Sequence, residues 1–276
     1  MIYKTHKINI PKGKALYLFC FGDVHYNCQE ADQKKFEEML ALAKRLKRQG
    51  HIVKFLTFGD LADSMSTSER KATRDLHDFT LDRFDEWAAK IVETLYHKAL
   101  KPFKGDFIGL IEGHHYMVFQ GDLYPKFRGS TNTKYLADLL DAPYLGTCGY
   151  LKLDFGDGVK WEIVAHHGRG AGQTRSARLM KRKRFGEAFP NANAIMVGHD
   201  HDLFVEADQG MGVDECGTFG VTKYYVATGS YLRGYILGKE RGTYVEQGMM
   251  RPSQLGSVMF ELKRADRKLA VSPHVV

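Results

Sequence analysis

Hydrophobic and polar positions follow two kinds of pattern along this chain. Short continuous apolar runs occur at 15–21 (ALYLFCF), 52–58 (IVKFLTF) and 107–111 (FIGLI). Runs of this length read as buried strands. Between them, apolar residues recur every three or four positions. Phe36, Met39, Leu40, Ala43 and Leu46 share one side of a helix predicted over 32–49, with Gly50 as its C-terminal cap. A second helix is predicted over 81–100, with Phe84, Trp87, Ala88, Ile91 and Leu95 on one face and Pro102 as its stop. A short helix near 133–140 follows.

The second half is richer in strands. YLKLDF and KWEIVA flank the turn signal GDG and predict a hairpin. A basic helix is predicted over 174–185, then strands at 194–197 (AIMV), KYYVAT and SVMFEL. The tail beyond 203 carries glycine turns in GMGVDECGTFG and GKERGTYVEQG; it should add strands to a sheet and offers a surface for a dimer. Helices alternating with strands, then hairpins, predict an α/β protein with a mixed sheet or two packed sheets. No repeat, low-complexity segment or linker interrupts the chain, so one domain over 1–276 is expected.

Composition narrows the class. With 276 residues and 43% hydrophobic content, the chain can bury one sizeable core. A net charge of +7 attracts polyanions at low salt, which suits a nucleic-acid partner but also a merely soluble basic protein. Cys20, Cys28, Cys148 and Cys216 form no CxxC pair and read as reduced thiols of a cytoplasmic protein. The first residues contain no long apolar segment, and no 18-residue apolar stretch occurs, so neither a signal peptide nor a membrane span is expected.

The candidate chemistry lies where the apolar runs stop. FCFGDVH (19–25), FLTFGDLAD (55–63), LIEGHH (110–115), EIVAHHG (162–168) and IMVGHDH (195–201) all place Asp or His just past the last apolar residue. Seven of the twelve histidines lie in these five stretches. Ligands of α/β sheets sit beyond the carboxyl ends of strands. An extended backbone would point Asp23 and His25 the same way, and likewise His199 and His201. Asp23, His25, Asp60, His114, His166, His199 and His201 are therefore candidate metal ligands, a set of nitrogen and oxygen donors without thiolate. They are too many for one ion and suit a pair about 3.5–4 Å apart.

The order Asp-x-His, Gly-Asp, Gly-Asn-His, His, Gly-His-x-His resembles the signature of the calcineurin-like metallophosphoesterases. The match runs from residue 22 to 201, and the chain looks like the small stand-alone members often carried by phages and prophages. The resemblance implies two packed mixed sheets flanked by helices (an αββα sandwich) and a dinuclear metal centre. It implies that Asp23, His25 and His201 bind one ion, that Asp60 bridges, and that His166 and His199 bind the second. His166 is preferred to His167 because it ends the apolar run. His115 matches the histidine that faces the substrate and helps the leaving group. The chain departs from the family at position 114, where histidine replaces a ligating asparagine. As an imidazole ligand, His114 should favour Zn, Fe, Ni or Mn over Mg.

The function expected from these residues is hydrolysis of a phosphate ester by a metal-bridging hydroxide attacking phosphorus, with His115 as general acid. A phosphodiesterase or nuclease acting on DNA or RNA is preferred. A phosphoesterase for a small nucleotide or other small ester is the alternative, and a catalytically silent scaffold the third reading. The basic segment 168–185 carries the nucleic-acid preference. Arg169, Arg175 and Arg178, with His167, are the candidate substrate-binding residues, and Lys181 and Arg182 fall on the same helical side. Tyr26 and Tyr116 could stack on a base, Asp63 could orient a histidine or cap the next helix, and the polar stretch 66–79 reads as an exposed loop or helix near the site.

Overall fold

The computed structural model describes residues 1–66, 69, 71, 78–170, 174–214, 217–266 and 268–276. Eleven strands are described: β1 (Ile2–Lys7), β2 (Leu16–Phe21), β3 (Ile52–Thr57), β4 (Phe107–Leu110), β5 (Cys148–Asp154), β6 (Lys160–His166), β7 (Ala194–Val197), β8 (Leu203–Asp214), β9 (Gly217–Thr228), β10 (Val258–Ala265) and β11 (Lys268–Val275). The helices are α1 (Gln33–Arg48), α2 (Asp78–Leu95), α3 (Asn132–Leu140), α4 (Arg175–Glu187) and the short α5 (Tyr244–Gln247). A wider turn over Tyr96–Leu100 and a 3-10 turn over Lys101–Phe103 complete α2, with Pro102 at the break.

The strands form two mixed sheets, ordered β1-β5-β6-β7-β9-β8 and β11-β10-β2-β3-β4. The hairpin of β5 and β6 is antiparallel, as its GDG turn predicts. In the second sheet β2, β3 and β4 run parallel, as do β6, β7 and β9 in the first. Parallel neighbours end at the same edge, which is why the motif-bearing strand ends can meet.

The period of two along each strand sorts the core into layers. Leu16, Leu18 and Cys20 of β2 point to the space between the sheets, where they join Leu151, Ile163, Met196 and Phe260. Phe19 and Phe21 point the other way, onto Phe36, Met39, Ala43, Val92 and Leu136 of α1 to α3. On the far side of the six-stranded sheet, Val164, Ile195 and Tyr225 pack beneath Leu179 and Phe185 of α4. The result is a helix–sheet–sheet–helix sandwich, the architecture implied by the resemblance.

One expectation changes, and one strand was not expected. Trp87, placed by periodicity on the buried face of α2, is 37% exposed, while Ala89 and Val92 take the interior positions. β1 has no apolar alternation and is almost wholly exposed; it is held by parallel pairing with β5. The glycine-rich GMGVDECGTFG adds strands to a sheet as expected: Met211 to Asp214 and Gly217 to Phe219 continue a long antiparallel ribbon of β8 and β9. Residues 215 and 216, with Cys216, lie outside the described residues, as does most of the polar stretch 66–79. Cys20, Cys28 and Cys148 carry free thiols. Among the described residues no helix is long and apolar enough to cross a membrane.

Candidate metal centre

Six of the seven candidate ligands come together at one sheet edge. Their donor atoms form overlapping groups within 4.8 Å: Asp23, His25 and His201; Asp23, Asp60 and His167; His114, His167 and His199. The backbone route differs from the expectation of extended strand ends. Asp23, His25, Asp60, His199 and His201 all have positive φ, between 47° and 65°. Left-handed backbone at a residue with a side chain costs of order 1–3 kcal/mol each and persists only where the surroundings over-determine it. Here they do. Asp23 N–H donates to the Gly59 carbonyl at 3.0 Å and His25 N–H to the Asp60 carbonyl at 2.9 Å. The Asp23 carbonyl accepts from Tyr231 N–H and from the Ser230 hydroxyl, both at 3.0 Å.

Glycine at the strand ends allows these backbones to cross. A Cβ on Gly113 would lie 1.9 Å from Asp60 Oδ1, and one on Gly59 would lie 2.5 Å from Gly113 Cα. The space a side chain would fill is taken by the Asp60 carboxylate. Asp60 Oδ1 accepts from the backbone N–H groups of His114 at 2.7 Å and His115 at 2.8 Å, leaving Oδ2 to face His167 Nε2 at 3.2 Å. Asp23 is held in the same way: Oδ2 accepts from His199 N–H at 2.9 Å, and Oδ1 faces His201 Nε2 at 3.3 Å.

At the end of β6 the structure places His167, rather than the preferred His166, among the clustered donors. His167 is 2% exposed and its ring meets those of His114 and His199. His166 is in none of the donor groups. Its Nδ1 accepts from Gly168 N–H at 2.7 Å and its ring lies against Phe185 of α4. The reason is the strand alternation. Trp161, Ile163 and Ala165 point between the sheets, so His167 continues that row, while His166 follows Val164 to the outer face. Both faces of β6 are buried, so periodicity in the sequence could not say which face was inner. The same burial places His167, a candidate substrate-binding residue, within the candidate metal-ligand cluster.

The donor set fits divalent cations. Among the described residues, Asp23 Oδ1, His25 Nε2 and His167 Nε2 are fully buried without a hydrogen-bond partner of good geometry. Buried polar atoms are otherwise nearly always paired. His167 Nδ1–H donates to the Phe58 carbonyl at 2.5 Å and His25 Nδ1 pairs with Asp63 at 3.1 Å, so each presents Nε2 to the cluster. Backbone carbonyls and carboxylates orient metal-binding imidazoles in this way. His114 Nδ1 and His199 Nδ1 stand 3.3 Å apart. Two imidazoles on one tetrahedral ion at ~2.0–2.1 Å would be separated by about 3.3–3.4 Å. The histidine at the departure from the family pattern therefore sits where an ion could take it.

Charge in the metal-free cluster is unevenly held. Burial opposes a proton on His167, but its hydrogen bond and charge interaction with Asp60 outweigh this and raise its pKa to about 9. Burial, then the nearby His167, lower His114 and His199 to about 4. Burial alone would raise Asp23 and Asp60; the imidazoles beside them bring both below the usual carboxylate range.

His115 stands at the rim. Its Nδ1 pairs with Asp63 Oδ1 at 2.8 Å, so one carboxylate oxygen holds both His25 and His115. Burial opposes protonation of His115, but the Asp63 bond and the surrounding carboxylates raise its pKa overall. Asp63 thus takes the orienting role that the sequence left open between orienting a histidine and capping a helix.

The basic helix is less free than its sequence suggests. Arg182 is buried and its Nη2 pairs with Asp200 Oδ2 at 2.9 Å, while Arg178 pairs with Asp202 at 3.5 Å. Arg175 lies over the Phe204 ring at 4.7 Å. Arg169 is exposed and, with His166, Arg178, Phe185 and Asp200, lines a cavity of about 180 Å³ beside the cluster. Tyr26 is bridged to Ala62, next to Asp63.

No family model and no curated protein matches the chain. Among solved structures it is similar to vacuolar protein sorting 29 from Cryptosporidium parvum, at 14% identity, with 95% of this chain and 98% of that chain covered and a TM-score of 0.40. It is similar to a conserved protein of Streptococcus pneumoniae described as a predicted phosphoesterase, at 10% identity, covering 94% and 88%, with a TM-score of 0.34. A 5'-nucleotidase precursor from Thermus thermophilus is similar at 11% identity over 95% of this chain and 54% of that chain, with a TM-score of 0.40. The likenesses are distant, and the chemistry of the site is judged from its own residues. Two mixed sheets between helices carry the five motif-bearing strand ends to one edge. The fold is a helix–sheet–sheet–helix sandwich with two mixed sheets. At one edge of that sandwich, the clustered carboxylates and imidazoles form a candidate metal-binding site.

Proposed function

We propose that the protein hydrolyses phosphate esters with two divalent transition-metal ions, and that its substrate is a phosphodiester of a nucleic acid. The carrying observation is the pair of donor sets that meet at Asp23, Asp60 and His167, with buried nitrogen and oxygen atoms that lack a hydrogen-bond partner of good geometry. Asp23, His25 and His201 would hold one ion, and His114, His167 and His199 the other, with Asp60 between them. The donors suit Mn, Zn, Fe or Ni better than Mg. When bound, such ions supply a deprotonated water near neutral pH and neutralise charge on the phosphoryl oxygens.

The chain's own residues do the rest. Asp63 fixes the imidazoles of His25 and His115 relative to one another. His115, partly exposed at the rim, would donate a proton to the leaving oxygen. Arg169, at the mouth of the neighbouring cavity, would take a phosphate oxygen. The nucleic-acid preference is supported by the net charge of +7 and by the exposed Arg175, Lys181 and Arg184 of α4. A small nucleotide or other small ester is the second reading. It is favoured by the pairing of Arg178 and Arg182 with Asp202 and Asp200, which leaves the helix fewer charges for a polyanion.

The test is turnover of bis-p-nitrophenyl phosphate and p-nitrophenyl phosphate with Mn, Zn, Ni or Mg, followed by cleavage of labelled single-stranded and duplex DNA. Diester turnover and strand cleavage support the proposal. Monoester turnover alone supports the small-ester reading. No turnover with any metal would leave a silent scaffold.

A further inference from the structure

Resting on that reading of the metal centre, we propose that Arg182 is a positioning residue for both metal subsites, acting through Asp200. His199 and His201 belong to different donor groups, and Asp200 is the residue between them. Both histidines hold left-handed backbone, at φ 65° and 52°. Two such residues so close in sequence relax to ordinary conformations unless something holds the turn between them. The Asp200 N–H reaches only the Gly198 carbonyl, at 2.8 Å, within the same turn. His199 N–H ties the start of the turn to Asp23 Oδ2 at 2.9 Å, and the Asp200 side chain, 8% exposed, ties its middle to Arg182 Nη2 at 2.9 Å.

Arg182 is itself immobilised. Its Nε donates to the Val226 carbonyl of β9 at 3.2 Å and its Nη1 to the Arg178 carbonyl of α4 at 3.1 Å. The guanidinium lies 5.1 Å from the Phe204 ring centroid and is 3% exposed. A guanidinium fixed by helix, sheet and aromatic ring thus sets one ion-paired nitrogen against the turn that would present one imidazole to each ion. Solvent-exposed arginines of α4 could serve a polyanion; this one cannot, because its charge is enclosed.

The experiment titrates the metal-free full chain with Zn or Mn in a calorimeter and records the visible spectrum of the Co-substituted protein. The variant is the double substitution Arg182→Met with Asp200→Asn, which removes the ion pair without leaving a buried charge. Affinity at both subsites should fall by about 10–100-fold, the range seen when groups orienting metal ligands are removed. The Co spectrum should change with it. Arg178→Met, at the looser pair with Asp202, should change affinity little. If the double variant keeps wild-type affinities and spectrum, and only its unfolding midpoint moves, Arg182 is structural and the inference is overturned. Should the double variant not fold, Arg182→Lys carries the test: it keeps the charge but loses the fork, and unchanged metal affinity overturns the inference. Failure of the wild-type chain to bind two ions would overturn the metal-centre reading instead, a separate outcome.

Discussion

His166 and His167 are adjacent, yet their replacement by alanine should have different consequences. His167→Ala removes a buried ring whose Nδ1–H donates to the Phe58 carbonyl at 2.5 Å and whose Nε2 faces Asp60 Oδ2 at 3.2 Å. A charge-assisted bond contributes about 1.5–3 kcal/mol and a neutral one about 1 kcal/mol. Asp60 keeps its two backbone N–H donors, so its carboxylate is not left without partners. The metal-free protein should lose about 2.5–4 kcal/mol of stability in His167→Ala. His166→Ala loses only the bond from Gly168 N–H and the ring contact with Phe185, about 1–1.5 kcal/mol. Urea unfolding of the metal-free variants measures the difference. Elemental analysis after dialysis against Zn then counts ions: His167→Ala should retain one fewer per chain, and His166→Ala the wild-type number. The opposite pattern, or equal losses, would refute the placement of His167 in the cluster.

Three further outcomes follow from particular contacts. His115→Ala should lower kcat by ~10²–10⁴-fold with metal content unchanged, because the ring stands at the rim and is tied to the cluster through Asp63; full turnover would remove it from the mechanism. Gly113→Ala should cost roughly 3 kcal/mol or more in thermal unfolding, since its Cβ would meet Asp60 Oδ1 at 1.9 Å, whereas Gly220→Ala, in open space, should stay within about 0.5 kcal/mol. Glu162→Gln should cost about 1–2 kcal/mol at pH 7. Burial alone would raise the Glu162 pKa, but Lys160 and the Tyr150 hydroxyl lower it overall, so its contribution is present above the unfolded value of ~4.3 and lost as pH falls through the folded value. The gap between wild type and variant in urea midpoints should shrink as pH falls below the unfolded value; a gap that stays constant through acid pH would contradict the charge-based origin.

How much of the site could be read in advance depended on the kind of information each residue carries. The apolar runs of β2, β3, β4, β6 and β7 were legible because buried parallel strands have little else but branched and aromatic side chains. The residues that close those runs were legible as donors, since Asp23, His25, Asp60, His114, His199 and His201 follow strand ends in order. Strands without such a signal were missed. β1 is held by pairing with β5 and β8 by pairing with β9, and backbone pairing leaves no trace in side-chain type.

From the order of its residues alone, this chain determined most of its buried elements and which of them end in candidate metal-ligand residues, because hydrophobic period and donor type are local properties. Tertiary structure decided the rest. It chose His167 over His166, since the inner face of a doubly buried strand exists only once the second sheet is packed on it. It bent Asp23, His25, Asp60, His199 and His201 into left-handed backbone, which neighbouring segments must hold in place. It also turned Arg182 from a surface charge into a buried anchor, because only the folded chain brings α4 over the turn that carries Asp200.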